Sequence, residues 1–226
     1  YTYLLSIVII FSVIGKFGFH NVLTKYIPIY TQKQSWSLYR GLIIFVAIGT
    51  LCSCVLVGLI CLGLDNFLNV IAKLETNFVL LFLLLVTLCF SDVAYSALQG
   101  LKRVVLSESL REIIRPLLFL FLILCFQPYL DLDRNSALFA NLLSLIVIAA
   151  ALSVWLFFKS PEEVFSKKKI SFESGQWFSF ACPMLLIAGM NVLLNRTDII
   201  MVGNYMSPSY AGVYSIATRF SELTLF

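Results

Sequence analysis

Long apolar runs separated by short polar stretches set the pattern of this chain. A helix needs about 20 apolar residues to cross roughly 30 Å of hydrocarbon. Runs of that kind fall at residues 1–19, 41–64, 78–98, 107–127, 137–158 and 177–206, and a seventh opens at 211 and reaches 226. The dyad alternation of a transmembrane β-barrel is absent. The pattern predicts an all-α, polytopic membrane helix bundle.

The polar stretches give its orientation. Residues 16–40 hold Lys16, Lys25, Lys33 and Arg40 with no acid, residues 99–115 hold Lys102, Arg103, Arg111 and Arg115, and residues 159–176 hold Lys159, Lys167, Lys168 and Lys169. The intervening stretches 65–77 and 128–136 contribute only Lys73 and Arg134, beside Asp65, Glu75, Asp131 and Asp133. Twelve of the sixteen basic residues therefore sit in alternate loops, which the positive-inside rule assigns to the cytoplasm. Tyr1 then lies outside. The chain opens without Met inside an apolar run, so it reads as a piece of a longer protein with one preceding span missing. No signal-peptide pattern opens it.

Composition agrees with the pattern. Of 226 residues, 60% are hydrophobic and 12% charged, with a mean hydropathy of +0.95. A soluble domain carries roughly 25% charged residues, so a soluble globule is excluded, and disorder more firmly still. The net charge of +4 follows membrane side rather than a face, so no nucleic-acid partner is expected. Cys52, Cys54, Cys61, Cys89, Cys125 and Cys182 lie in apolar runs with no CxxC pair and read as small buried hydrophobes. His20 stands alone and founds no metal site. The sequon at Asn195 lies in an apolar run, which disfavours glycosylation.

The longest polar linker, 159–176, divides the chain into a first helical lobe at 1–158 and the start of a second at 177–226. An internal echo supports this boundary. At an offset of 209, Tyr1/Tyr210, Ser6/Ser215, Ile7/Ile216, Phe11/Phe220 and Ser12/Ser221 are identical. Repeated halves with a site between them are common in secondary transporters.

Charges inside apolar runs are costly, about 2.5–3.5 kcal/mol or more at mid-bilayer, and so mark candidate sites. Asp92 lies about 21 Å along its run, with Thr87, Ser91, Tyr95 and Ser96 on neighbouring helical rows. It reads as a polar or cation-binding wall of a pathway, or as an Asp tied to a neighbouring helix. Glu108, Arg111, Glu112 and Arg115 precede Pro116 at i,i+3 spacing and form pairs along one face, with Ser109 and Glu112 as a capping box. They read as an interfacial turn, or as Arg111 and Arg115 meeting an anionic headgroup at the cytoplasmic mouth. Asn191, Asn195 and Asp198 recur at i, i+4 and i+7 beside Arg196, in a run that Pro183 and Gly189 allow to bend or break, and read as a cavity wall or as a polar end near the outer interface. Arg219 and Glu222 lie one turn apart in the last run and read as an internal ion pair, or as an Arg facing a central cavity. No P-loop, GxGxxG, HExxH or nucleophile elbow is present, so no enzyme activity and no nucleotide cofactor is expected.

The stretch RTDIIMVGNYM from Arg196, followed by AGVYSIATR from Ala211, resembles the seventh and eighth spans of polysaccharide-export flippases. LKRVV from Leu101 leading to IRPLL from Ile114 is similar to their loop and fifth span, and the opening through Gly15 and Gly18 to Tyr30 to their second span. These proteins belong to the multidrug/oligosaccharidyl-lipid/polysaccharide exporter superfamily. The resemblance implies a MATE-like architecture of two six-helix lobes, here truncated. It implies transfer of an undecaprenyl-pyrophosphate-linked oligosaccharide, such as an O-antigen repeat unit, from the cytoplasmic to the outer leaflet of a bacterial cytoplasmic membrane. Lipid-linked oligosaccharide, membrane lipids and polysaccharide assembly proteins are the partners it implies. It places Arg196, Asp198 and Arg219 in a central cavity that is cationic where substrates are anionic. Four other readings stay open. They are a drug exporter coupled to a proton or Na⁺ through acids such as Asp92, a peptidoglycan-precursor flippase, a membrane polymerase or glycosyltransferase of the same pathway, and a purely structural membrane subunit.

Overall fold

The computed structural model describes residues 2–68, 78–126, 134–159 and 170–223, and these contain helix and no strand. The order is α1 (Thr2–Lys16), α2 (Phe19–Gln32), α3 (Trp36–Leu68), α4 (Phe78–Gly100), α5 (Val104–Ser109), a π-helical turn (Leu110–Ile114), α6 (Arg115–Phe126), α7 (Arg134–Lys159), α8 (Ser174–Tyr205) and α9 (Pro208–Leu223). Lys73, Glu75, Asp131, Asp133 and Lys167 to Lys169 lie outside the described residues, as does Tyr1 of the echo. The chain is a multi-pass membrane bundle. Four helices, α3, α4, α7 and α8, are long and apolar enough to span, and α1 with α2 makes a fifth span if the pair is counted as one bent by 48°.

Apolar surface is turned outward as well as inward. Leu186, Met190 and Leu194 on α8 are 67%, 68% and 77% exposed, which suits hydrocarbon rather than water. Cys52, Cys125 and Cys182 lie on such exposed faces, while Cys54 and Cys89 are buried. The expectation that all six cysteines are buried is thus corrected. In lipid an apolar run has no need to turn inward.

α1 lies at the centre of the packing, against α3, α4, α8 and α9. Leu4 and Val8 meet Leu84, Leu85 and Leu88 of α4 and Leu138, Leu142 and Leu145 of α7 in one core. The helices approach closely where side chains vanish. A Cβ on Gly203 of α8 would stand 2.3 Å from the Tyr3 ring. Ser6 of α1 and Ser215 of α9, equivalent in the echo, are both buried, each donating to its own helix backbone.

The largest departure from the hydropathy pattern is α2. Residues 16–40, expected as a loop, are mostly helix. Phe19, Val22, Leu23, Ile27 and Tyr30 recur at helical spacing and bury against Tyr39, Leu42 and Val46 of α3 and Trp177 and Ala181 of α8. The intervening His20, Asn21, Thr24 and Lys25 lower the average hydropathy and hide that face. α1 passes into α2 through Phe17 (φ 45°) and Gly18 (φ 70°). Glycine serves twice at that break, because a Cβ there would sit in the left-handed region and 2.5 Å from the carbonyl oxygen of Ala181.

Two local expectations are also corrected. Ser109 does not cap a helix. The helical path begins at Val104, and Ser109 Oγ donates back to the carbonyl of Val105 at 2.6 Å. Helix α8 runs unbroken through Pro183 from Ser174 to Tyr205. In an earlier run the helical path widens before Pro116, whose missing N–H leaves the ladder one donor short. There the Arg115 N–H reaches back to Leu110 O in a π turn.

Candidate functional site

Among the described residues, the candidate side chains gather in two polar clusters. The first joins the two irregular turns. Lys16 is the last residue of α1, at the break into α2, and Arg111 comes from the π turn. Between them Asp92 of α4 accepts from both, with Lys16 Nζ at 2.7 Å from Oδ2 and Arg111 Nη2 at 2.8 Å from Oδ1. The side chains of Lys16, Asp92 and Arg111 are 14%, 15% and 32% exposed, so water screens the contacts weakly. Two cations contact one carboxylate, and Glu108 acts on Arg111 from further off.

The Arg111 guanidinium also lies over the Tyr95 ring, 5.1 Å from its centroid, a cation–π contact strengthened by desolvation. Tyr95 Oη and His20 Nδ1 are buried with no hydrogen-bond partner among the described residues. Glu108 is not the partner of Arg111 expected from the i,i+3 spacing. It accepts from Gln99 Nε2 at 2.7 Å. The wider π turn changes the angle at which side chains leave the helix, and a carboxylate on another helix becomes the better partner. Arg115 opens α6 within electrostatic reach of Tyr95. The polar row around Asp92 is packed inside the bundle. Ser91 and Ser96 are buried and, like Thr87, donate to their own helix backbone.

The second cluster lines a cavity of about 440 Å³ between α8 and α9. Its wall includes Asn195, Arg196 and Asp198 from α8, and Ser215, Thr218, Arg219 and Ser221 from α9. Spacing of three and four along each helix explains why these groups share one side. Asn195 Nδ2 donates to the Asn191 carbonyl at 2.9 Å, which leaves Oδ1 as an acceptor. Ser215 and Thr218 likewise donate to their own helix, to Gly212 O and Ser215 O, and keep lone pairs for a guest. Among the described residues the charged groups of this wall are two guanidinium groups and one carboxylate.

Four of the seven cavity candidates from the sequence, Asn195, Arg196, Asp198 and Arg219, thus come together. Asn191 stands one turn away from the lining, and the side chain of Glu222 lies outside what is described. Asp92 belongs to the other cluster. Sequence reasoning missed Lys16 as a site residue, counting it as a loop charge. It also passed over Ser215 and Thr218, although their i and i+3 placement before Arg219 was a readable signal.

The two clusters occupy different levels of the bundle. α1 and α8 run antiparallel, with Tyr3 beside Gly203 and Val13 beside Gly189. Arg196 is therefore level with the middle of α1, about 12 Å along the axis from Lys16. Residues 1–224 match the sequence model of the family described as Polysaccharide biosynthesis protein. No curated protein and no solved structure matches the chain.

Proposed function

Because this chain belongs to the polysaccharide biosynthesis protein family, we propose that it carries an undecaprenyl-pyrophosphate-linked oligosaccharide from the cytoplasmic to the outer leaflet of a bacterial cytoplasmic membrane. The observation that supports this most directly is the cavity between α8 and α9. It presents cations, an amide oxygen and hydroxyl lone pairs between two apolar helices.

Those groups suit the polar half of such a substrate. Sugar hydroxyls donate to Asn195 Oδ1 and to the lone pairs of Ser215 and Thr218. Anionic groups on the sugars meet Arg196 and Arg219, with Asp198 accepting from further hydroxyls. At about 440 Å³ the cavity is of ligand-site size and takes part of an oligosaccharide at a time. The lipid tail needs no site, because it stays in hydrocarbon beside the exposed apolar faces. No bond is made or broken, and transport needs positioning alone. The two-lobe, MATE-like arrangement, with lobes meeting after residue 176, is part of the same proposal.

The rival cation-coupled drug exporter would use Asp92 as an open carboxylate. In this structure both its oxygens accept from Lys16 and Arg111 instead.

Lipid extraction from cells lacking the full-length gene tests the proposal. Accumulation of undecaprenyl-linked oligosaccharide on the cytoplasmic side, with loss of surface polymer, is expected. Unchanged lipid intermediates with increased drug sensitivity would overturn it.

A further inference from the structure

We propose that Lys16 and Arg111 form a phosphate-binding site in which Asp92 is the resident counter-anion, displaced when a phosphate-bearing group binds. The cluster has the parts such a site requires. Two cationic donors from separate elements converge on the two oxygens of one carboxylate, at 2.7 and 2.8 Å. That geometry also fits two oxygens of a phosphate. Asp92 is the only carboxylate in direct contact with the two cations among the described residues, Glu108 acts on Arg111 from further off, and a phosphate group carries the charge to replace Asp92 in both contacts.

The surroundings add an independent observation. Tyr95 Oη, at the far end of the ring beneath Arg111, and His20 Nδ1 are buried without hydrogen-bond partners among the described residues. Buried polar atoms in a native fold ordinarily have partners, and one left alone calls for a ligand, water or ion. His20 lies within electrostatic reach of Lys16, Asp92 and Arg111. The Arg111 side chain, 32% exposed, is the most accessible of the three.

Both cations stand at backbone irregularities, Lys16 at the α1–α2 break and Arg111 in the π turn. Small rearrangements there move a side chain without repacking a whole helix. This inference rests on the flippase reading and refines it. The pyrophosphate of the substrate would engage Lys16 and Arg111 while its sugars occupy the cavity about 12 Å along α1. Asp92 then returns to the cations on release and resets the site.

Binding of inorganic pyrophosphate to the purified full-length protein in phosphatidylcholine nanodiscs tests this, with helicity and elution profile recorded for each variant. Asp92→Asn removes the competing charge at equal size and is expected to tighten binding about tenfold or more. Lys16→Gln and Arg111→Gln are expected to weaken it by a similar factor. The Lys16→Gln/Asp92→Asn pair, which restores the charge balance, is expected not to regain the tightening. Parallel discs with added phosphatidic acid distinguish the sources. Tightening by Asp92→Asn toward the lipid alone assigns the site to a lipid headgroup, and tightening toward pyrophosphate assigns it to the soluble group.

A folded Asp92→Asn protein that binds neither probe more tightly than wild type would overturn the proposal. If that variant does not fold, unchanged binding in Lys16→Gln would overturn it equally. Either failure leaves the lipid accumulation in deletion cells untouched, so it is distinguishable from failure of the flippase reading.

Discussion

Lys16 and Asp92 stand 76 positions apart in the chain and meet at 2.7 Å, tying the break between α1 and α2 to the buried face of α4. Arg111 completes the bridge from the π turn, so one carboxylate holds three elements together. Removing it leaves two partly buried cations facing each other. Asp92→Ala is expected to lower stability by about 1.5–3 kcal/mol. Thermal unfolding of the purified protein checks this, with Lys16→Ala/Asp92→Ala losing less than the sum of the two single changes. Strict additivity would show that the pair does not interact.

Gly18 is constrained by its φ of 70° and by the Ala181 carbonyl, which a Cβ would approach to 2.5 Å. Gly18→Ala is expected to cost about 1–2 kcal/mol for the backbone conformation and more for the displacement of α8. Gly212→Ala is the control, because nothing stands within 4 Å of a Cβ there. Yield in the membrane and melting temperature should fall for the first and not for the second.

Tyr30 couples α2 to the start of α8. Its hydroxyl accepts from Trp177 Nε1 at 2.9 Å and donates to Glu173 Oε2 at 3.0 Å. Tyr30→Phe strands the indole N–H of a fully buried Trp177, at a cost of about 1–3 kcal/mol. A melting temperature equal to wild type would contradict this.

Arg196 and Arg219 supply the positive charge of the α8–α9 cavity. Arg196→Ala and Arg219→Ala are each expected to reduce surface polymer about tenfold or more, as loss of a charged hydrogen bond implies, without changing the amount of protein in the membrane. Quantified polymer against immunoblotted protein checks this. Normal export by both variants would remove the cationic cavity from the account.

The sequence made α3, α4, α7 and α8 legible because each exceeds the length of a bilayer span and carries little charge. It concealed α2, whose buried positions 19, 22, 23, 27 and 30 are diluted by polar neighbours in any hydropathy average. Spacing along α8 made Asn195, Arg196 and Asp198 readable as one group. Arg219 joined Arg196 and Asp198 in the sequence reading through the family resemblance, and the packing of α9 against α8 is what brings it to the same wall. Asp92 and Arg111 were both conspicuous, but local spacing suggested Glu108 as the partner of Arg111. Contacts between residues 16, 92 and 111 depend on how helices are docked, and no period along the chain encodes that.

Reconstitution of the full-length protein in vesicles bearing undecaprenyl-pyrophosphate-linked oligosaccharide on one leaflet tests the central claim most directly. A sugar-modifying reagent confined to the other side reports transfer. The account predicts transfer by wild-type protein and its loss in Arg196→Ala/Arg219→Ala. Equal labelling of vesicles with and without the protein would contradict it.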